Sequence, residues 1–91
     1  MMSMRVKVKF VPGRIAEYFH SKGDVELIDL PDGSRYRDLL NCLEERFCGS
    51  PGESLLDSFT CLCGGVPIPR KLEEPVNPGD EVVVVTLALG G

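Results

Sequence analysis

Charged and apolar residues alternate from Arg5 to Val11: Val6, Val8 and Phe10 fall on one side, Arg5, Lys7 and Lys9 on the other. A period of two predicts a strand with one buried face. Pro12-Gly13 ends it. The apolar segment Ile15-Ala16-Glu17-Tyr18-Phe19 reads as a helical turn or as a loop folded over the core. Val25–Leu30 predicts a second strand, closed by the turn Pro31-Asp32-Gly33. After Ser34 the period changes. Tyr36, Leu39, Leu40, Leu43 and Phe47 fall on one narrow stripe at about 100° per residue, the pattern of an amphipathic helix. Ser34 is the expected N-cap and Gly49 the expected stop.

The second half is more broken. Ser50–Glu53 reads as a polar loop, and Leu55, Leu56 and Phe59 as a short helical turn capping the core. Thr60–Cys63 predicts a short strand, Gly64-Gly65 a hairpin turn, and Val66–Ile68 a return strand. Pro67 and Pro69 confine that return to a sheet edge or a loop. Asn77-Pro78-Gly79-Asp80 is a strong turn signal before Glu81–Leu89, where Val82 to Val85 run without alternation. Such a run predicts a central strand buried on both faces. Two strands, a helix, short strands and a long last strand predict an α+β fold. In it, one main helix packs across one face of a mixed sheet whose first and last strands lie side by side. That topology is the β-grasp.

Composition narrows the function. The chain has 91 residues, enough for one domain over residues 1–91. Its net charge of -4 opposes a nucleic-acid role and docking on anionic membrane. No apolar run approaches the roughly 18–20 residues of a membrane helix. The alternating Arg5–Phe10 segment lacks the continuous apolar stretch of an export signal, so the expected compartment is the cytoplasm. The chain ends in Gly90-Gly91. Without a Cβ, two glycines can thread a narrow channel and present an unhindered carboxylate. They are expected to form a flexible tail on a rigid strand.

The order of elements, the Asn77-Pro78-Gly79-Asp80-Glu81-Val82 turn and the terminal Gly90-Gly91 resemble the ubiquitin-like sulfur carriers of the MoaD/ThiS type. The resemblance is strongest to the small subunit of molybdopterin synthase and spans roughly Met4 to Gly91. Thr86-Leu87-Ala88-Leu89 and the Cys61-Leu62-Cys63-Gly64-Gly65 hairpin depart from the usual pattern of that subunit. The resemblance implies that Gly91 is the reacting residue and Gly90 its slender neighbour. An adenylating enzyme of the ubiquitin-activating type would consume ATP to activate the Gly91 carboxylate. A persulfide sulfur would then make it a thiocarboxylate. The sulfur would pass to a pterin precursor held by the large subunit of molybdopterin synthase. The chain would bind no cofactor itself, and would be a carrier or small subunit rather than a stand-alone enzyme. The alternatives are a protein modifier joined through Gly91, or a carrier for thiamin, cysteine or tRNA thiolation.

An iron–sulfur electron carrier is the rival class, because the fold also hosts plant-type ferredoxins. The cysteines Cys42, Cys48, Cys61 and Cys63 are spaced C-x5-C, C-x12-C and C-x-C. Ferredoxin and zinc spacings differ from these. On a strand, Cys61 and Cys63 would share a face about 6–7 Å apart. His20 stands alone, and Glu44-Glu45 and Glu73-Glu74 read as solvated faces open to a basic partner.

Overall fold

The computed structural model describes residues 3–47 and 54–86. Five strands form one sheet: β1 (Ser3–Val11), β2 (Val25–Pro31), β3 (Phe59–Cys63), β4 (Val66–Pro67) and β5 (Glu81–Thr86). Their order is β2-β1-β5-β3-β4. The first and last strands do pair in parallel at the centre, with Lys7 opposite Glu81 and Val11 opposite Val85. The other pairs are antiparallel. Two helices pack against the sheet, α1 (Tyr36–Arg46) and the single turn α2 (Leu55–Ser58). The expected α+β β-grasp is therefore the observed fold.

β1 alternates strictly, with Met4, Val6, Val8 and Phe10 buried. These side chains meet Leu39, Leu40 and Leu43 from α1, and Val82 and Val84 from β5, in one core. The segment after β1 is a 3-10 helix, Gly13–Phe19, which buries Ile15, Ala16 and Phe19. Phe19 is fully enclosed. Its ring lies 5.1 Å from Phe10, 5.5 Å from Phe47 and 5.6 Å from Phe59, centroid to centroid. Gly64 and Gly65 join β3 to β4 with φ of 62° and 79°. Two consecutive positive φ values fit the right-handed twist of a tight hairpin, and only glycine takes them without strain.

The start of α1 departs from expectation. Ser34 is not the N-cap: it is buried, and its hydroxyl donates to the Pro31 carbonyl at 2.7 Å. Arg35 is the N-cap, its N–H donating to the Asp38 carboxylate at 2.8 Å. The free N–H groups of the first turn are met by a remote segment. Tyr36 N–H donates to the Glu74 carbonyl at 3.1 Å, and Arg37 N–H to the Leu72 carbonyl at 3.0 Å. Backbone carbonyls thus do what a capping side chain would do. Phe47 lies just past the helix in extended backbone, where it still packs on Phe19 and Phe59. The expected stop at Gly49, the Ser50–Glu53 loop and Cys48 lie outside the described residues.

Two of the acidic pairs are partly structural. Glu44 accepts the Leu55 N–H at 3.0 Å and the Ser54 hydroxyl, fixing the start of α2 to α1. Glu73 pairs with Arg35 at 3.1 Å and with Arg37, bracing the segment that caps α1. β4 is shorter than expected, because Ile68 turns into a 3-10 helix, Ile68–Arg70, and is buried there. At the far end of α1, Arg46 donates to Glu26 of β2 at 2.7 Å.

Two outcomes test this packing. Phe19→Ala removes the common partner of three rings and should cost about 3–5 kcal/mol in urea unfolding. The Arg46 hydrogen bond, opposed by partial burial, holds the Glu26 carboxyl below the ordinary 4.5. A carboxyl lowered in the folded state adds stability that is complete above its unfolded value and is lost as pH falls through the folded value. Both groups are partly exposed, so the effect is below about 1 kcal/mol. Arg46→Gln should raise the Glu26 midpoint, read by carboxyl NMR, and flatten the acid limb of the stability curve.

Candidate functional site

The site residues named by the sequence, Gly90 and Gly91, lie outside the described residues, as do Leu87 to Leu89. The structure describes the strand that precedes them. β5 ends at Thr86, opposite Phe59 of β3. One residue earlier, Val85 sits between Val11 of β1 and Thr60 of β3. The strand leading to the chain end is thus hydrogen-bonded on both sides almost to its last described residue. Beside that exit is a cleft of about 610 Å³, lined by Arg14, Glu17, Tyr18, Phe47, Phe59 and Thr86 among others.

The expected burial of β5 on both faces is corrected. Val82 and Val84 are buried, while Val83 and Val85 are only half-buried. The physical reason is that the described helices and the core all lie on one face. Register then fixes the composition of the other face. Val25, Lys9, Val83, Leu62 and Pro67 form one row across all five strands, and Val11, Val85 and Thr60 form the next. Val11 is 41% exposed, Val25 40% and Leu27 52%. Lys7 lies 3.6 Å from Glu81 on this face, whereas Lys9 has no ion pair among the described residues. This face is mixed: Arg5, Lys7, Lys9, Asp29 and Glu81 share it with Val11, Val25, Leu27, Val83 and Val85. The unalternating valine run hid the difference between its two faces, since Val82 to Val85 look alike in sequence.

Cys61 and Cys63 do share a face, the core face. Burial pushes the Cys61 thiol up to about 12. Cys63 Sγ lies 3.6 Å from the Tyr36 hydroxyl, which donates to Asp80 at 2.6 Å. Burial, with that carboxylate and thiol, holds the Tyr36 phenol well above its ordinary value. Lys71 covers the same ring at 4.5 Å and donates to the Cys63 carbonyl at 3.1 Å. This cluster fastens α1 to the turn before β5. Among the described residues no group of three or more metal-ligating side chains converges. His20 is exposed, with a left-handed φ of 57°.

A mixed five-stranded sheet gripping one main helix defines a β-grasp protein of the ubiquitin-like class. Solved structures of that class resemble the chain closely. A protein described as molybdopterin converting factor, subunit 1, from Pyrococcus furiosus is 25% identical, with a TM-score of 0.70. It covers 93% of this chain, and 99% of its own length is matched. Small archaeal modifier protein 1 of Haloferax volcanii is 22% identical, with a TM-score of 0.65, over 96% of this chain and 99% of that one. Its counterpart from Methanosarcina acetivorans is 20% identical, with a TM-score of 0.63, over the full length of both. At these two lower identities the likeness carries the fold alone. These neighbours match the MoaD/ThiS-type ubiquitin-like proteins that the sequence resembles. No protein-family model and no curated protein matches the chain significantly. No helix among the described residues is long and apolar enough to cross a membrane.

The cysteine environment gives a direct check. A protonated, enclosed thiol is a poor nucleophile. Cys61 should resist iodoacetamide in the folded protein at mildly alkaline pH and react fully once guanidinium unfolds it, as read by peptide mass mapping.

Proposed function

We propose that the chain is a sulfur carrier whose Gly91 carboxylate is adenylated and then converted to a thiocarboxylate, with molybdopterin synthesis as its pathway. The carrying observation is the platform itself. A strand paired on both sides precedes Gly90-Gly91 and borders an open face of mixed aliphatic and charged residues. The likeness to the Pyrococcus molybdopterin converting factor subunit supports the pathway.

The chemistry needs a partner. A carboxylate is a poor electrophile. Attack of its oxygen on the α-phosphorus of ATP expels pyrophosphate and leaves an acyl-adenylate. The terminal sulfur of a persulfide then displaces AMP, giving an acyl disulfide. A second thiol splits that sulfur–sulfur bond and frees the thiocarboxylate. In this reading the charge stabilisation belongs to a ubiquitin-activating type of enzyme, which holds the ATP and the reacting carboxylate. In this reading the open face around Val83, Leu62 and Val25 seats that enzyme and, later, the large subunit of molybdopterin synthase. Gly90 passes through the channel to the active site because it has no side chain.

The archaeal modifier neighbours favour a second reading on the same platform. There the activated Gly91 acylates a lysine of another protein instead of accepting sulfur. The two readings share the adenylate and separate after it.

The test uses the full chain, ATP, a sulfur source and the adenylating enzyme of the source cell. Intact mass should change by one oxygen-to-sulfur exchange. Deleting Gly90 and Gly91 should abolish activation and leave the melting temperature nearly unchanged, since terminal glycines have no side chain to bury. Gly90→Val keeps the length and the carboxylate, and should fold normally but activate poorly. A valine variant activated as fast as the parent refutes the channel reading, and Gly91 found on lysines without sulfur exchange selects the modifier.

A further inference from the structure

The free edge of the sheet carries an inference separate from the chain end. Among the described residues β2 is an outer strand, paired only with β1. Phe10 N–H donates to the Asp24 carbonyl at 2.8 Å, just beyond the Lys9–Val25 pair. Hydrogen-bonded pairs in an antiparallel ladder fall at every second residue. Glu26, Ile28 and Leu30 therefore direct their backbone groups toward β1. Val25, Leu27 and Asp29 direct theirs outward, where no described residue takes them up. The side chains of Val25 and Leu27 are among the most exposed large apolar groups of the described residues. An edge with free donors, free acceptors and apolar side chains is a template for an added strand.

On the other side of this edge, between β2 and α1, lies a cleft of about 450 Å³. Leu30 and Cys42 form part of its wall, and Asp32 and Asp38 stand at its mouth. Neither aspartate has an ion pair among the described residues. A strand laid on β2 would place alternate side chains on the two sides of the sheet. One set would cover Val25 and Leu27. The other would enter the cleft, where an aliphatic stem meets Leu30 and a cationic head meets the two carboxylates. Glu26 lies on that side too, but Arg46 already engages it.

We propose that β2 binds an extended partner segment in which apolar and basic residues alternate, joined by backbone hydrogen bonds to Val25, Leu27 and Asp29. This does not depend on activation of Gly91, and its test needs no activating enzyme.

The probe is a blocked heptapeptide alternating valine and lysine, titrated into the full chain and followed by amide NMR. The largest shifts should fall on Val25, Leu27 and Asp29. The same peptide N-methylated along its bonding edge should lose binding, a control that needs no protein variant. A peptide with glutamate for lysine should bind at least about fivefold more weakly. The double variant Asp32→Asn, Asp38→Asn should reduce that difference, and asparagine can still accept the Arg35 N–H. Leu27→Pro removes one outward N–H without breaking a bond to β1, and should weaken binding. Shifts centred on Val83 and Val85, equal binding of the N-methylated or glutamate peptides, or no saturable shift would overturn the proposal. Edge shifts that follow protein concentration alone, with a doubled solution mass, would assign the edge to a second copy instead.

Discussion

The parallel pairing of β1 with β5 is the constraint on which the rest of the molecule depends. Parallel neighbours cannot be joined by a tight turn and need a long crossover connection. Everything between Val11 and Glu81 supplies that connection, including α1 and both outer pairings of the sheet. The pairing also sets direction. β1 and β5 end together, Val11 beside Val85, so the chain leaves the sheet at the end where the 3-10 helix and Phe59 gather. In the proposed reading Gly91 enters another protein's active site, and such a base serves it. The strand is held on two sides as far as Val85.

One layer of helix on one sheet leaves the opposite face open among the described residues. The aliphatic side chains on that face bury less of their surface than those in the core, so each contributes less to the fold. Val83 and Val85 therefore have a different physical role from Val82 and Val84, although all four stand in one unbroken run. In the proposed reading a partner covers what Val83 and Val85 leave exposed, and the free energy of that further burial appears as affinity rather than stability.

Much of the fold was legible because its elements have local periods. The alternation of β1 and the stripe from Tyr36 to Leu43 each marked a buried face; the terminal strand is central as expected, but the burial on both faces from which that place was argued is not found. What escaped was set by residues far apart in sequence. The cap of α1 comes from carbonyls of Leu72 and Glu74, about a third of the chain away, so the nearby Ser34 looked like the capping residue. Glu44 looked solvated because its partners, Ser54 and Leu55, lie 10 and 11 residues further along the chain. Of the candidate site, Gly90-Gly91 was named from the sequence and lies outside the described residues, whereas the open face arises only when register places residues of five strands in rows.

The two surfaces and the chain end have a fixed geometric relation. β2 stands two strands from β5, about 10 Å at ordinary strand spacing. Val25 and Leu27 belong both to the free edge and to the border of the open face. A strand added to β2 would extend that face by one row beyond Val25 without approaching Thr86. Occupation of the edge is thus compatible with a partner on the central rows. It would also enlarge the apolar area such a partner can cover. If the two contacts touch, linkage requires each to change the affinity of the other by the same factor. The sheet is a continuous hydrogen-bonded body between them, so this coupling would need no rearrangement of the fold.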